Sequence, residues 1–350
     1  MKNQNIYDIL KKLKVKRKKS IKILYNNGMK KLFNPDVDKL NNRKVNVIID
    51  TDPGVDDSAC IIYAMHDKNI DIKLFTTVAG NIPLGIATRN LLHLLDLFDR
   101  DYPVAKGADR ALNRISPTAE HMHGVEGLGG YAPPKQAKRT IIGEDAVSAM
   151  YRVIMEGDGD VVPVMLGPQT NLANLITTHP DVIKKIPKVV VMGGSPFGHK
   201  DYPNHISFNL STDPDAFKVV LDTGIPVLMC PSHMGRIKAH LEEDFVLSLK
   251  TKGDVGNFLY QMYSTYWEPN YPTKRITTND TCALFALVYP GLFITEPATV
   301  KVNVTDAPGK TDIVFEPNGN VEFIKDLYRE EFLDMLDFKL NTLVDFRLNH

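Results

Sequence analysis

The stretch Val45-Asn46-Val47-Ile48-Ile49-Asp50-Thr51-Asp52-Pro53-Gly54-Val55-Asp56-Asp57 constrains this chain more than any other. An apolar, β-branched run has no polar face, as expected of a strand covered on both sides by helices. It ends abruptly in four aspartates, Asp50, Asp52, Asp56 and Asp57, with Pro53-Gly54 forcing a turn between them. Open α/β sheets bind their ligands at the carboxyl ends of such strands. Like charges crowded there repel one another and need compensation, most simply by a hard divalent cation with oxygen ligands. An EF-hand loop is a poor match: counted from Asp50, its obligatory sixth-position glycine is Val55, and a strand rather than a helix precedes it. A haloacid-dehalogenase-type phosphatase also closes its first strand with alternating aspartates and would use Asp50 as nucleophile. That alternative stands at this point.

The rest of the chain alternates strand-like and helix-like segments. Ser58–His66 reads as a helix, with its acidic pair at the positive end of the helix dipole. Ile72–Val78 reads as a strand and Pro83–Phe98 as a helix opened by proline. Short strands are predicted at Pro103–Ala105, Val161–Leu166, Val189–Met192 and Val227–Cys230. Between them, helices are predicted at Glu144–Met155, Asn171–Thr177 and Asp213–Leu221. This alternation predicts an α/β protein with an open, mainly parallel sheet flanked by helices. From Thr299 onward, alternating patterns broken by Pro-Gly and Asn-Gly turns predict a small antiparallel C-terminal addition, and Asp326–Leu348 reads as a closing helix. The longest apolar stretch, Cys282–Phe293, contains a proline and is too short to span a bilayer, so it reads as a buried helix.

Composition bears on location and partners. Three widely spaced cysteines, Cys60, Cys230 and Cys282, argue against a disulfide framework and for a reducing compartment. The formal net charge is zero, but residues 1–44 hold fourteen Lys/Arg against three Asp/Glu. This divides the chain into a basic N-terminal extension, 1–44, and a body, 45–350. The extension lacks the continuous apolar region of a secretory signal and makes a poor mitochondrial presequence, being lysine-rich and holding Asp8. Ile6, Leu10 and Leu13 at helical spacing favour a basic amphipathic helix, docked on the acidic body or a mobile arm, with contact to nucleic acid or anionic lipid as the alternative.

Asp-x-Asp-Pro-Gly-x-Asp-Asp after an apolar strand resembles the N-terminal signature of the calcium-dependent nucleoside hydrolases, the inosine/uridine-preferring N-ribohydrolases. The resemblance continues in order through Thr77-Val78-Ala79-Gly80-Asn81, His123-Gly124, Gly127-Leu128-Gly129-Gly130, Leu166-Gly167-Pro168-Gln169-Thr170-Asn171, Val191-Met192-Gly193-Gly194, Phe208-Asn209 and Asn279-Asp280. It covers the chain from about Val45 onward and implies a Rossmann-like core. It also implies hydrolysis of the N-glycosidic bond of ribonucleosides to ribose and free purine or pyrimidine base, in nucleoside salvage. Asp52, Asp57, the carbonyl of Leu166 and Asp280 would hold Ca2+, and Asp52, grouped with Asn81 as catalytic, would activate a water. Asp56, His123, Met192, Phe208, Asn209 and Asn279 would line the substrate. On residue type alone, Asp280 reads as a helix cap and His123 as a solvated loop histidine. The resemblance further implies a cytoplasmic homo-oligomer, dimer or tetramer.

Two departures concern the substrate. Well-studied members carry Glu before the Phe-Asn pair, at the ribose 5′-hydroxyl, where this chain has Ser207. Many members carry His as leaving-group acid before the last aspartate, where this chain has Asn279, which supplies no proton at neutral pH. The segment Cys230–Arg236 also differs from the family's Asp-Val-Thr-His pattern. A non-catalytic nucleoside- or ribose-binding relative is therefore a second alternative, beside the phosphatase. Around Ser207, the loop with Lys200 predicts a neutral to positive field near the 5′ carbon.

Overall fold

The structure, a computed structural model, describes residues 44–196, 204–267 and 274–349. The predicted N-terminal amphipathic helix and Lys200 lie outside the described residues. Strand β1 spans Val45–Thr51, β2 Ile70–Thr77, β3 Val104–Lys106, β4 Val162–Met165, β5 Val189–Met192 and β6 Val227–Cys230. A small pair follows, β7 (Leu241–Glu242) with β8 (Arg275–Ile276), then β9 (Phe293–Val302), β10 (Thr311–Phe315) and β11 (Val321–Leu327). The principal helices are α1 Val55–Met65, α2 Leu84–Leu97, α3 Ala146–Glu156, α4 Thr170–Thr178, α5 Pro214–Asp222, α6 Gly253–Tyr263, α7 Asn279–Val288 and α8 Arg329–Thr342.

The large sheet runs β10-β9-β11-β6-β5-β4-β1-β2-β3. Every pair from β3 to β11 along that order, through β6, is parallel, and β9 is antiparallel to both β10 and β11. The chain leaves β1 in one direction to β2 and β3, then returns to β4 on β1's other side. That reversal creates a crevice beyond the carboxyl ends of β1 and β4, the place where doubly wound sheets bind ligands. Burial on both faces explains the unbroken apolar run of β1. Val47 and Ile49 enter a core with α1 and α7, whereas Ile48 enters the opposite core beneath α3 and α4.

The predicted α/β class, strand order of appearance and helix positions agree with the structure, with differences at the C-terminal end. The antiparallel addition is continuous with the main sheet, because β11 pairs with β6 in parallel. The helix expected over Cys282–Phe293 ends at Val288, where Pro290 stops it, and Phe293 already belongs to β9. The closing helix is shorter than Asp326–Leu348 because Asp326 and Leu327 are β11 residues. Helix α6 was not anticipated; Gly253 and Gly256 at its start obscure its apolar face.

Helix α7 is buried on all sides except at Leu287, so it behaves as a central core helix rather than an amphipathic one. It packs against α1, and both helices aim their N-termini at the crevice. At the other end of this layer, buried Asp67 accepts bonds from the Tyr289 hydroxyl at 2.6 Å and the Lys339 ammonium at 2.5 Å. These bonds fasten α8 to the turn after α1. Lys339→Met keeps most of the stem but leaves the Asp67 carboxylate buried without its counter-charge. Breaking such a pair should cost about 3 kcal/mol. Urea unfolding of the two proteins checks this, and a loss below about 0.5 kcal/mol would refute the assigned role of the pair.

Candidate active site and metal centre

The candidate site is assembled from strand ends. After β1 come Asp52 and then Asp56 and Asp57 in the first turn of α1; after β2 comes Asn81; after β4 comes Leu166. Asp280 enters from the first turn of α7. The first turn of each helix exposes unpaired N–H groups and the positive end of the helix dipole, which favours carboxylates there. Thr278, not Asp280, occupies the N-cap position of α7, so Asp280 is free of the capping role its sequence context suggested.

Asn81 links two of the acids. Its backbone N–H donates to Asp52 Oδ2 at 2.6 Å, and its side-chain Nδ2 donates to Asp57 Oδ2 at 2.9 Å. The Thr51 hydroxyl donates to Asp57 Oδ1 at 2.6 Å. Asp52 sits in a cradle that requires two glycines. A Cβ at Gly80 would lie 2.0 Å from Asp52 Oδ2, and one at Gly167 would lie 2.7 Å from Oδ1. Asp56 accepts from the Thr277 hydroxyl at 3.3 Å and is also bonded by Tyr266. Neither partner was anticipated from sequence, because a hydroxyl more than two hundred residues away leaves no local pattern.

Asp56, Asp57 and Asp280 are the buried set among the described residues whose carboxylate oxygens all approach within 4.8 Å of one another. Asp52 belongs to the same electrostatic cluster: burial raises its pKa well above the usual range, and the Asp57 charge raises it further. Burial and then the charges of Asp57, Asp56 and Asp52 push Asp280 up in the same way. Asp52 Oδ1 is buried with no hydrogen-bond partner. An all-oxygen set of buried, mutually repelling acids with an unsatisfied acceptor fits a hard divalent cation. Asp50 is different. It is fully buried and its Oδ2 likewise has no partner, but it lies outside the set of converging carboxylates: its Oδ1 accepts from the Thr76 hydroxyl and from Asn171 Nδ2, and burial raises its pKa to about 7. It is a structural acid behind the site, which removes the phosphatase nucleophile.

The remaining expected residues lie around the same crevice. Asn209 Nδ2 donates to the carbonyls of Leu166 and, at 3.1 Å, Met192, so it ties the ends of β4 and β5 together. Met192, at the end of β5, is buried, and Phe208 is half-buried. His123 is buried rather than solvated, at the end of a helical turn, Glu120–His123. Its Nδ1 accepts the Val55 N–H at 3.0 Å, so the neutral ring carries its proton on Nε2. Burial lowers the His123 pKa to about 4, and its ring lies 4.9 Å from that of Tyr266. Ser207 is buried with an unpartnered Oγ, and Asn279 is buried with an unpartnered Oδ1.

The sequence profile of the inosine-uridine preferring nucleoside hydrolases matches residues 47–334. The chain belongs to this family. It is 34% identical over 256 residues to the non-specific ribonucleoside hydrolase RihC of Klebsiella pneumoniae subsp. pneumoniae, covering 73% of this chain and 83% of that protein. The RihC of Salmonella enteritidis is likewise 34% identical over 258 residues, covering 74% of this chain and 83% of that protein. Among solved structures, a purine-preferring ribonucleoside hydrolase from Gardnerella vaginalis superposes with a TM-score of 0.78 at 26% identity, covering 85% of this chain and 99% of that one. A plant nucleoside hydrolase gives 0.75 at 27%, covering 85% of this chain and 98% of that one.

The raised carboxylates have a consequence for stability. Asp50 keeps its proton in the folded state up to about pH 7, whereas an unfolded aspartate loses it near 3.8. The metal-free fold therefore loses stability as pH rises between those values, and the raised acids of the cluster act in the same direction. Histidines with lowered pKa act oppositely; for His205 the causes are burial and the Arg236 charge rather than the acids of the cluster. The stability difference between cation-loaded and chelated protein should thus widen from pH 5 to pH 7.5. Thermal midpoints with Ca2+ and with EDTA across that range test it, and a constant difference would count against cation binding by these acids.

Proposed function

We propose that this protein hydrolyses the N-glycosidic bond of ribonucleosides to ribose and free base, with Asp52 as general base and Ca2+ held by Asp52, Asp57, Asp280 and the Leu166 carbonyl. The observation that carries the reading is the Asp52 carboxylate: one oxygen is fixed by the Asn81 N–H, and the other is buried without a partner. Ca2+ suits the donor set because it accepts many oxygens at flexible geometry. When bound, such a cation compensates the clustered charges, makes a neighbouring water more acidic and accommodates vicinal ribose hydroxyls.

Each residue then has a definite task. Asp52 removes the proton from the attacking water, and its buried, charge-crowded position raises its basicity toward the useful range. Asn81 holds Asp52 and Asp57 in register through its two bonds. Asp56, held by Thr277 and Tyr266, accepts a hydrogen bond from a ribose hydroxyl. Met192 and Phe208 supply an apolar wall for the sugar, and Asn209 orients the Leu166 carbonyl. Attack of the water oxygen at C1′ and departure of the base then complete the hydrolysis. The enzyme is read as a homo-oligomer of intracellular nucleoside catabolism, a setting that suits three buried, unpaired cysteines. No helix among the described residues is long and apolar enough to cross a membrane.

Incubation with Ca2+ and a panel of purine and pyrimidine ribonucleosides should release free base and ribose; binding without release would favour the non-catalytic alternative. Asp52→Asn preserves shape but removes the proton acceptor. It should lower kcat by on the order of 10²–10⁴. Retention of most of kcat would assign the water's proton to another residue.

A further inference from the structure

The departing base is the part of this reaction left unprovided for, because Asn279 stands where many relatives carry an acid. This inference rests on the N-ribohydrolase reading above. The segment after β6 reaches the same place. It forms a π-helical turn over Met234–Lys238, a geometry that recurs at functional sites. Gly235 lies so close to α7 that a Cβ there would fall 2.4 Å from both the backbone nitrogen and Oδ1 of Asn279. The next residue is Arg236, half-buried, whose N–H donates to the Ser232 carbonyl at 3.3 Å. The same Ser232 bonds His205 through its hydroxyl at 2.9 Å and is anchored to Gly194 after β5.

The positive charge of Arg236 bears on Asp56, His123, Tyr266 and His205. The first three meet in the crevice, where His123 Nδ1 lies 4.0 Å from Asp56 Oδ1 and the His123 and Tyr266 rings are 4.9 Å apart. Its turn is therefore held against Asn279 on one side and the His205 segment on the other. His123 is neutral and offers one N–H, so it brings no charge to a base that leaves as an anion. A guanidinium brings a permanent charge and several donors in one plane, matched to the ring nitrogens and carbonyl oxygens of a nucleobase.

We propose that Arg236 stabilises the leaving base, in place of a proton-donating histidine. As the C1′–N bond breaks, its electron pair passes to the base. Arg236 donates hydrogen bonds to an acceptor on the ring and keeps its own protons. The water oxygen bonds to C1′, Asp52 takes the water's proton, and the released base collects a proton from solvent. Stabilising developing charge by preorganised donors is worth roughly 10²–10³ in rate per group.

The test compares substrates that differ in their need for this help. With Ca2+ present, kcat is measured for inosine, uridine and 4-nitrophenyl β-ribofuranoside, whose phenolate leaves without assistance. Arg236→Gln should slow both nucleosides by about 10²–10³-fold while the aryl riboside changes only a few-fold. Arg236→Lys, which restores charge without the planar fork, should recover part of the loss on the nucleosides. An equal fall on all three substrates would mean that Arg236 only maintains the fold, and no fall on any would leave it without a role; either result overturns the proposal. If the parent protein cleaves none of the three, the N-ribohydrolase reading itself fails. Retained aryl riboside hydrolysis also shows that the variant is folded.

Discussion

Burial of five carboxylates at one end of the sheet governs the architecture around it. Asp50, Asp52, Asp56, Asp57 and Asp280 are all nearly or wholly removed from water. An isolated ionised carboxylate in such a place is costly, so each must be compensated or protonated. The compensation explains features that otherwise look unrelated. Helices α1 and α7 bring their N-termini to the same point, Thr51 and Thr76 turn their hydroxyls inward, and Asn81 spends both its N–H groups on two acids. Helix α7 can reach the crevice only by crossing the core, which accounts for its being apolar on nearly every side. What hydrogen bonds leave unsatisfied, notably Asp52 Oδ1, is what a cation would satisfy.

The strand order converts that chemistry into a site. Because the sheet reverses at β1, the ends of β1 and β4 open onto a common crevice, and residues from β2 and β5 border it. Close approach is then limited by side-chain volume. Gly80 and Gly167 admit the Asp52 carboxylate, and Gly235 admits the segment bearing Arg236. The acid half of the site rests on strand ends and helix starts, which are rigid. The opposite half, with Ser207 and Gly235, is drawn from connections after β5 and β6, where sequence change is tolerated more readily. Ser207, Asn279 and Arg236 all fall in or beside that second half.

Several elements were legible in the sequence for local reasons. The unbroken apolar run of β1, the Pro-Gly turn and the acidic start of α1 determine a buried parallel strand with an anionic tip, because both faces of the strand and the dipole of the helix impose those residue types. The alternation of strands and helices determines the sheet class, and the ordered motifs determine the family. Cap and boundary details were less legible. Asp280 follows the pattern of a cap yet lies one turn position inside α7, and the end of that helix depended on Pro290. Only the tertiary structure decided that Asp50 stands behind the site while Asp52 faces it, that His123 is a buried neutral acceptor of the Val55 N–H, and that Thr277, Tyr266 and Arg236 join residues far away in the chain. Those facts depend on which atoms are brought together across the reversal of the sheet, and on how much water remains there, and neither distance nor hydration is a property of neighbouring residues in a sequence.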